Sequence, residues 1–143
     1  MAKEKGVVEL LKNVGYPERA IDYYIRKVNV GAIENADATD VFTGLCGDSM
    51  RIYLKVTDDV ISDAKFEAIG CAGAFASGSM VTEMVKGKTL KKAKEITEND
   101  VINELGGMPG PKFHCAHLAV DAMKKAIERY RKIQLNKCCF TSS

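Results

Sequence analysis

The 143-residue sequence lacks the usual features of a membrane or secreted protein. No apolar run approaches the ~20 residues of a membrane span, and no apolar stretch follows Met1 as it would in a secretory signal. A large charge excess is also missing, because 21 lysines and arginines and 19 aspartates and glutamates leave a net charge of +2. This balance gives no support for nucleic acid or a membrane as a partner. We therefore predict a cytoplasmic protein.

Internal repeats, low-complexity segments and domain linkers are also missing, so we expect a single domain over residues 1–143. The composition, 46% hydrophobic and 28% charged, is that of a globular protein. A chain of this length buries roughly 68–70% of the surface that its unfolded form exposes. Its core therefore needs no disulfide or metal for stability, and any bound metal is expected to serve function.

Hydrophobic periodicity predicts the main helices. Apolar residues recur at helical spacing in four segments, residues 7–14, 20–28, 75–85 and 114–135. Thr89 and Thr97 are typical N-caps and predict two further short helices, the second ending at the two glycines 106–107. The loop at residues 108–111 contains two prolines and cannot lie inside a helix.

A small sheet is predicted between these helices. Residues 50–56 alternate strictly between apolar and polar, and a second strand over 60–69 completes an antiparallel hairpin. The polar stretch 29–43 is expected to be an extended connection. The predicted fold is α+β, with a small antiparallel sheet of about three strands packed against helices and a long C-terminal helix.

The chain has five cysteines, an odd number that fits a reducing compartment in which thiols stay free for metal binding or catalysis. Three of them lie at breaks between predicted elements, beside small residues or a histidine: Cys46, Cys71 and Cys115. The other two, Cys138 and Cys139, lie in a polar tail. Adjacent cysteines pair with each other only under strain, so we take the tail thiols as incidental.

Cys46 and Asp48 precede the first clear strand. Residues two apart in an extended segment point to the same side, so this thiolate and carboxylate can address one metal ion. Gly44 and Gly47 let the backbone bend around them. A buried cysteine that packs as a small hydrophobic residue is the alternative interpretation.

Cys71 lies between the second strand and the helix that follows it. A helix N-terminus stabilises an anion and lowers the pKa of a thiol, which favours a role as ligand or nucleophile. Tight packing between strand and helix explains the same glycine-rich sequence, Gly70-Cys-Ala-Gly73, equally well.

His114 and Cys115 place two metal-ligand side chains at the start of the last helix. Because adjacent helical residues project about 100° apart, we expect that these two do not serve one site equally well at the same time. His117, a helical neighbour of His114 and Asp121, is expected on the surface.

Taken together, these three segments resemble the ligand motifs of the IscU type iron-sulfur cluster scaffold family, in the same order and in the same elements. The motifs are Gly44-Leu-Cys-Gly-Asp48, Gly70-Cys-Ala-Gly-Ala-Phe-Ala-Ser77 and His114-Cys-Ala-His-Leu-Ala-Val-Asp-Ala122. The resemblance implies a scaffold domain over 20–135, a helical extension over 1–19 and a flexible tail over 136–143.

The resemblance implies a scaffold and not an enzyme. Such a scaffold assembles a [2Fe-2S] cluster from iron and from sulfur delivered by a cysteine desulfurase, and transfers it to apo iron-sulfur proteins. The implied thiolate ligands are Cys46, Cys71 and Cys115, with Asp48 and His114 as alternatives for the remaining position. Three thiolates and one harder ligand hold one corner of the cluster weakly, which suits a cluster that must be released.

The adjacency of His114 and Cys115 suggests how sulfur is received. A cysteine that accepts sulfur as a persulfide must leave the metal while another group fills its place. We expect Cys115 to be the sulfur acceptor and His114 to be its substitute at the metal. A small rotation of the first helical turn is predicted to bring the imidazole in.

One departure from the family pattern bears on partners, and one comparison separates this chain from a related branch. The family's Leu-Pro-Pro-Val-Lys, which a dedicated chaperone recognises, is replaced by Met108-Pro-Gly-Pro-Lys112, which argues against recognition by that chaperone. A related zinc-bound sulfur-acceptor branch lacks the histidine and carries an insertion for which the segment 47–70 leaves no room. The sequence leaves the oligomeric state open, a homodimer included.

Two other functions could use the same residues. Three thiolates with Asp48 or His114 form a sound tetrahedral zinc shell, so a zinc-binding sulfur-acceptor or regulatory protein is one alternative, and zinc can also occupy the empty scaffold. A thiol enzyme would use Cys71 or Cys115 as nucleophile and His114 as base. Against this second alternative, the sequence reveals no substrate pocket.

Overall fold

The computed structural model describes residues 2–44 and 47–141, and the side chains of 5–44 and 47–136. It confirms an α+β architecture, in which two helices precede a small sheet and four helices and one 3₁₀ turn follow it. The helices and strands are α1 (Ala2–Val14), α2 (Glu18–Arg26), β1 (Ala38–Thr43), β2 (Ser49–Thr57), β3 (Val60–Ile69), α3 (Ala72–Val85), α4 (Leu90–Lys94), α5 (Glu98–Leu105) and α6 (Phe113–Thr141). The 3₁₀ turn spans Gly110–Lys112 and leads directly into α6.

The sheet is antiparallel in the order β1-β2-β3, and the predicted hairpin is its centre and one side. Ile52 of β2 pairs with Asp40 on one side and with Phe66 on the other. The hairpin turns at Asp58 and Asp59, whose φ angles of 52° and 63° are those of a type I′ turn. Such a turn matches the right-handed twist of the strands that it joins.

The prediction of an extended connection over 29–43 was wrong for its last six residues, which form β1. Only Ala38 of this strand is fully buried, and the rest is half-buried or exposed. An edge strand with so little burial shows no clear alternation of apolar and polar residues. The pairing with β2 and the packing against α6 therefore determine this strand.

One face of the sheet packs against α3 and α6 and forms the core. Its side chains are fully buried, among them Met50, Ile52, Leu54 and Phe66. The small residues of α3 allow it to approach closely, since a Cβ on Gly78 would lie only 2.6 Å from the Phe66 ring. At its N-terminus, α3 meets the first turn of α6, where a Cβ on Gly73 would lie 3.1 Å from Cys115 Sγ.

The helix ends largely follow the local sequence signals. Thr97 and Asp100 form a capping box at the start of α5, and Gly106, with a φ of 90°, ends that helix as predicted. The last helix continues past its predicted end near Leu135 to Thr141. Among the described residues, no helix has both the length and the apolar content to cross a bilayer.

Candidate metal centre

Potential metal ligands come together where four parts of the chain meet. These parts are the end of β3, the start of α3, the β1–β2 loop and the first turn of α6. The Sγ atoms of Cys71 and Cys115 lie 3.5 Å apart, and His114 Nε2 lies 3.6 Å from Cys115 Sγ. Ligand atoms of Asp48, His114 and Cys115 all lie within 4.8 Å of one another. The structure thus assembles four of the five predicted site residues.

The fifth residue, Cys46, lies outside the described residues, and so do the side chains of Cys138 and Cys139. The chain on either side of Cys46 is tied together at the site. The backbone N–H of Gly44 donates to the carbonyl of Asp48 at 2.8 Å, and that of Gly47 donates to the carbonyl of Gly44 at 3.0 Å. The role predicted for Cys46 stays a prediction.

Cys71 occupies the N-cap position of α3, with extended backbone angles (φ −85°, ψ 178°). A hydrogen bond from the Cys115 thiol, together with the backbone N–H groups of Ala74 and Gly73, lowers the pKa of Cys71 to about 5 against the opposing effect of burial. The nearby charge of Lys112 acts in the same direction. The helix N-terminus therefore adds to the effect of the Cys115 hydrogen bond in stabilising a thiolate here.

The pKa of the Cys115 thiol is shifted in the opposite direction. Its side chain is fully buried, and the hydrogen bond that it gives to Cys71, its burial and the negative charges of Cys71 and Asp48 all raise the pKa of its thiol. The two cysteines therefore share one proton, which stays on Cys115. A metal ion that binds both sulfurs must displace this proton.

His114 and Cys115 lie closer together at the site than their positions on the helix suggest. The prediction that they do not serve one site equally well at the same time stays a prediction. Their Cα–Cβ bonds do diverge around the helix, but the imidazole is long enough to reach back to within 3.6 Å of the Cys115 sulfur. The His114 side chain is otherwise exposed. No rotation of the first helical turn is needed to bring it to the site.

Two glycines make room for the site. A Cβ on Gly70 would lie 3.0 Å from Asp48 Oδ2, and a Cβ on Gly73 would lie 3.1 Å from Cys115 Sγ. Both distances are tighter than ordinary van der Waals contact. The two interpretations of Gly70-Cys-Ala-Gly73 therefore both apply, because close packing is what allows the ligands to converge.

Tyr16 is a site neighbour that the sequence analysis missed. It lies between α1 and α2 and is only 6% exposed, and its hydroxyl lies 2.9 Å from the place that a Cβ on Gly73 would take. Burial and the negative charge of the Cys71 thiolate raise the pKa of its hydroxyl. The preceding Gly15, with a φ of 108°, turns the chain at this point. In the sequence, only the adjacent Gly15 and Tyr16 could have indicated that this tyrosine lies beside the site.

A cleft of about 270 Å³ opens on the outer side of the site. It is lined by Phe42, Thr43, Gly44, Asp48, His114, His117 and Leu118. His117 lies on the surface, as expected, with its Nε2 2.8 Å from Asp121 and its Nδ1 3.3 Å from Glu98. Asp48 and His114 are therefore the site residues that a partner can reach through this cleft.

Fold and donor set together define a class of protein. It is a small α+β domain that brings cysteine sulfurs, a carboxylate and an imidazole together at one point, a set of ligands suited to iron or zinc. The match to known proteins then gives the family. Residues 15–137 match the NifU-like N-terminal domain family, to which this chain belongs.

Similar proteins agree with this assignment. The iron-sulfur cluster assembly scaffold protein IscU 1 of Archaeoglobus fulgidus is 47% identical over 116 residues, which cover 80% of this chain and 76% of that protein. IscU of Escherichia coli K12 is 44% identical over 124 residues, covering 82% of this chain and 95% of that one. The family is therefore the IscU type that the motifs resemble.

A solved structure supports the fold. A crystal structure from Fervidobacterium islandicum AW-1, assigned as an iron-sulfur cluster assembly scaffold for the SUF system, superposes with a TM-score of 0.66 at 30% identity. The match covers 78% of this chain and 96% of that one.

Proposed function

We propose that this protein is an assembly scaffold for a [2Fe-2S] cluster. It builds the cluster from iron and desulfurase-derived sulfur and transfers it to apo iron-sulfur proteins in the cytoplasm. One observation carries the proposal: in a member of the IscU type family, Cys71, Cys115, His114 and Asp48 converge at one point. The zinc-binding alternative is not favoured by the relatives, whose names describe iron-sulfur scaffolds.

The ligand set that we propose is mixed. Cys46, Cys71 and Cys115 supply thiolates, and the last position falls to Asp48 or His114. The mutual distances within 4.8 Å support both candidates for that position. A carboxylate is a poorer ligand for iron-sulfur chemistry than a thiolate, so an incoming acceptor thiolate can replace it. The cleft beside Asp48 gives such a thiolate a route.

We retain Cys115 as the sulfur acceptor. The separation of 3.6 Å between its sulfur and His114 Nε2 supports His114 as its substitute at the metal, now without a movement of the helix. In the resting site Cys115 is fully buried, so a desulfurase must open the site before it transfers sulfur. Mass spectrometry of persulfide on wild type, Cys115→Ser and His114→Ala tests both roles. Persulfide undiminished in Cys115→Ser would reject the acceptor role, and normal assembly in His114→Ala would reject the substitute role.

Zinc is a competitor for the empty site. Two thiolates with an imidazole and a carboxylate satisfy its tetrahedral preference. Zinc bound in this way would block iron loading until it is displaced. Purification in the presence of a chelator is therefore part of the test.

The deciding experiment is loading under anaerobic conditions. The chelator-treated protein is supplied with ferrous iron, cysteine and a cysteine desulfurase, and visible absorption is recorded with iron and sulfide analysis. We expect the visible bands of a [2Fe-2S] cluster in wild type and in the double variant Cys138→Ser/Cys139→Ser. Single Ser variants at Cys46, Cys71 or Cys115 should fail to hold it. A colourless wild-type protein without bound sulfide would reject the proposal.

A further inference from the structure

The two sulfurs at the centre of the site lie close enough to bond to each other as well as to a shared metal ion. Cys71 Sγ and Cys115 Sγ lie 3.5 Å apart, and each belongs to the N-terminal end of a helix that packs against the other. A disulfide has a sulfur separation of about 2.05 Å, so the two atoms need to approach by only about 1.5 Å. Small rotations of the two side chains supply a movement of that size.

We propose that Cys71 and Cys115 form a reversible disulfide when the site is empty, and that this oxidation switches cluster loading off. The disulfide itself requires only the two thiols. Its consequence for loading rests on the proposed scaffold function, because a disulfide removes two of the three thiolate ligands at once.

The two cysteines differ in access, which sets the order of the reaction. Cys71 is half-buried and can meet a small hydroperoxide, whereas Cys115 is fully buried. The Cys71 sulfur attacks the peroxide and breaks its O–O bond, which gives a sulfenic acid and one water molecule. The Cys115 sulfur then displaces the sulfenic oxygen, which leaves as a second water molecule. Two thiols are oxidised, and one hydrogen peroxide is reduced to two waters.

The neighbouring thiol protects the site from permanent damage. A sulfenic acid that stays free is oxidised further to sulfinic acid, which is not reversible by thiols. With the Cys115 sulfur 3.5 Å away, the disulfide forms first, and a dithiol can later reduce it to restore both ligands. A redox-inactive metal ion such as zinc, bound to both sulfurs, suppresses the reaction, because it lowers their nucleophilicity and holds them apart.

Trypsin separates the cysteines, which makes the linkage easy to assign. Cys71 falls in peptide 66–86 and Cys115 in peptide 113–124, while Cys46 falls in 28–51 and the tail cysteines in 138–143. The metal-free, reduced protein is treated with hydrogen peroxide, alkylated, digested without reductant and analysed by mass spectrometry. We expect 66–86 linked to 113–124 as the main product, and we expect zinc-loaded protein, whose metal does not react with peroxide, to give far less of it.

Control variants establish what the linkage does. The variant Cys138→Ser/Cys139→Ser should form the same link, while Cys71→Ser should not, with circular dichroism confirming that each variant is folded. The oxidised wild type should lose cluster loading and regain it after dithiothreitol. A main link through 28–51, the absence of any link between 66–86 and 113–124, or full loading of the oxidised protein would overturn the proposal. If reduced wild type itself fails to load, the scaffold function fails, and the linkage result stands separately.

Discussion

Two helix N-termini meet at the candidate site, and each carries a cysteine, yet the two thiols are in opposite states. At α3, Cys71 is the N-cap residue, and a hydrogen bond from the Cys115 thiol, together with the backbone N–H groups of Ala74 and Gly73, lowers its pKa to about 5. At α6, Cys115 lies inside the first turn and is fully buried, so the pKa of its thiol rises. The hydrogen bond between the two thiols, the backbone N–H groups at the start of α3 and the deeper burial of Cys115 together decide which sulfur carries the charge.

The largest effect that tests this comparison is the difference in thiol reactivity. In the metal-free protein, pH 7 is above the Cys71 pKa of about 5, so Cys71 is a thiolate, whereas Cys115 remains protonated. Since the thiolate is the nucleophile, we expect iodoacetamide to modify Cys71 at least about 100-fold faster than Cys115. The rate at Cys71 should stay level from pH 8 to 6 and fall as the pH approaches 5.

Peptide mass spectrometry after timed alkylation measures both rates in one sample. Alkylation carried out in a denaturant is the control, since unfolding removes the helix N-terminus and the hydrogen bond, and the two rates should then become similar. Equal rates in the folded protein would show that the two helix ends do not set different thiol states.

An effect of intermediate size is expected from a substitution at Gly73, which lies in the first turn of α3, where this helix contacts Cys115 of α6. A Cβ there would lie 3.1 Å from Cys115 Sγ and 2.9 Å from Tyr16 Oη. We expect Gly73→Ala to lower the free energy of unfolding by roughly 1–3 kcal/mol, because the inserted methyl group overpacks the site. It should also reduce cluster loading, since it pushes the two sulfurs apart.

Urea denaturation followed by circular dichroism gives the stability, and Gly6→Ala is the matched control. Gly6 lies in α1 with nothing within 4 Å of an added Cβ, so alanine should be neutral or stabilise the protein by up to about 1 kcal/mol. A Gly73→Ala protein as stable as the control variant would show that this contact is not tight.

The smallest effect is expected at Asp48, whose negative charge is one cause of the raised pKa of Cys115. In the ligand set proposed above, Asp48→Ala removes the exchangeable oxygen ligand and leaves His114, the stronger donor, to hold the cluster. We expect transfer to an apo-ferredoxin to slow by a few-fold, about 1 kcal/mol of barrier, and the cluster to live longer. Visible absorption during transfer measures both quantities.

Asp121→Ala serves as the control, because Asp121 carries the same charge nearby but contacts His117 and not the site. An Asp48→Ala protein that cannot hold a cluster at all would instead identify Asp48 as a required ligand.

Local sequence determined much of this protein. The alternation over 50–56 predicts β2, the Asp58-Asp59 pair turns the hairpin, and Thr97 with Asp100 begins α5. These features depend on interactions between residues close in the chain. The motifs around Cys71 and Cys115 likewise identified the family, because spacing and residue type are properties of the sequence itself.

Tertiary structure decided the rest. The strand β1 exists because β2 pairs with it and α6 packs against it, and its own sequence shows no clear pattern. His114 reaches the Cys115 sulfur, and Tyr16 approaches Gly73, through contacts whose geometry the sequence does not express. The sharing of one proton between Cys71 and Cys115 depends on a distance of 3.5 Å across 44 residues of chain. Such a distance is fixed only when α3 and α6 pack, since electrostatic interactions and thiol chemistry depend on separation in space and not on separation in sequence.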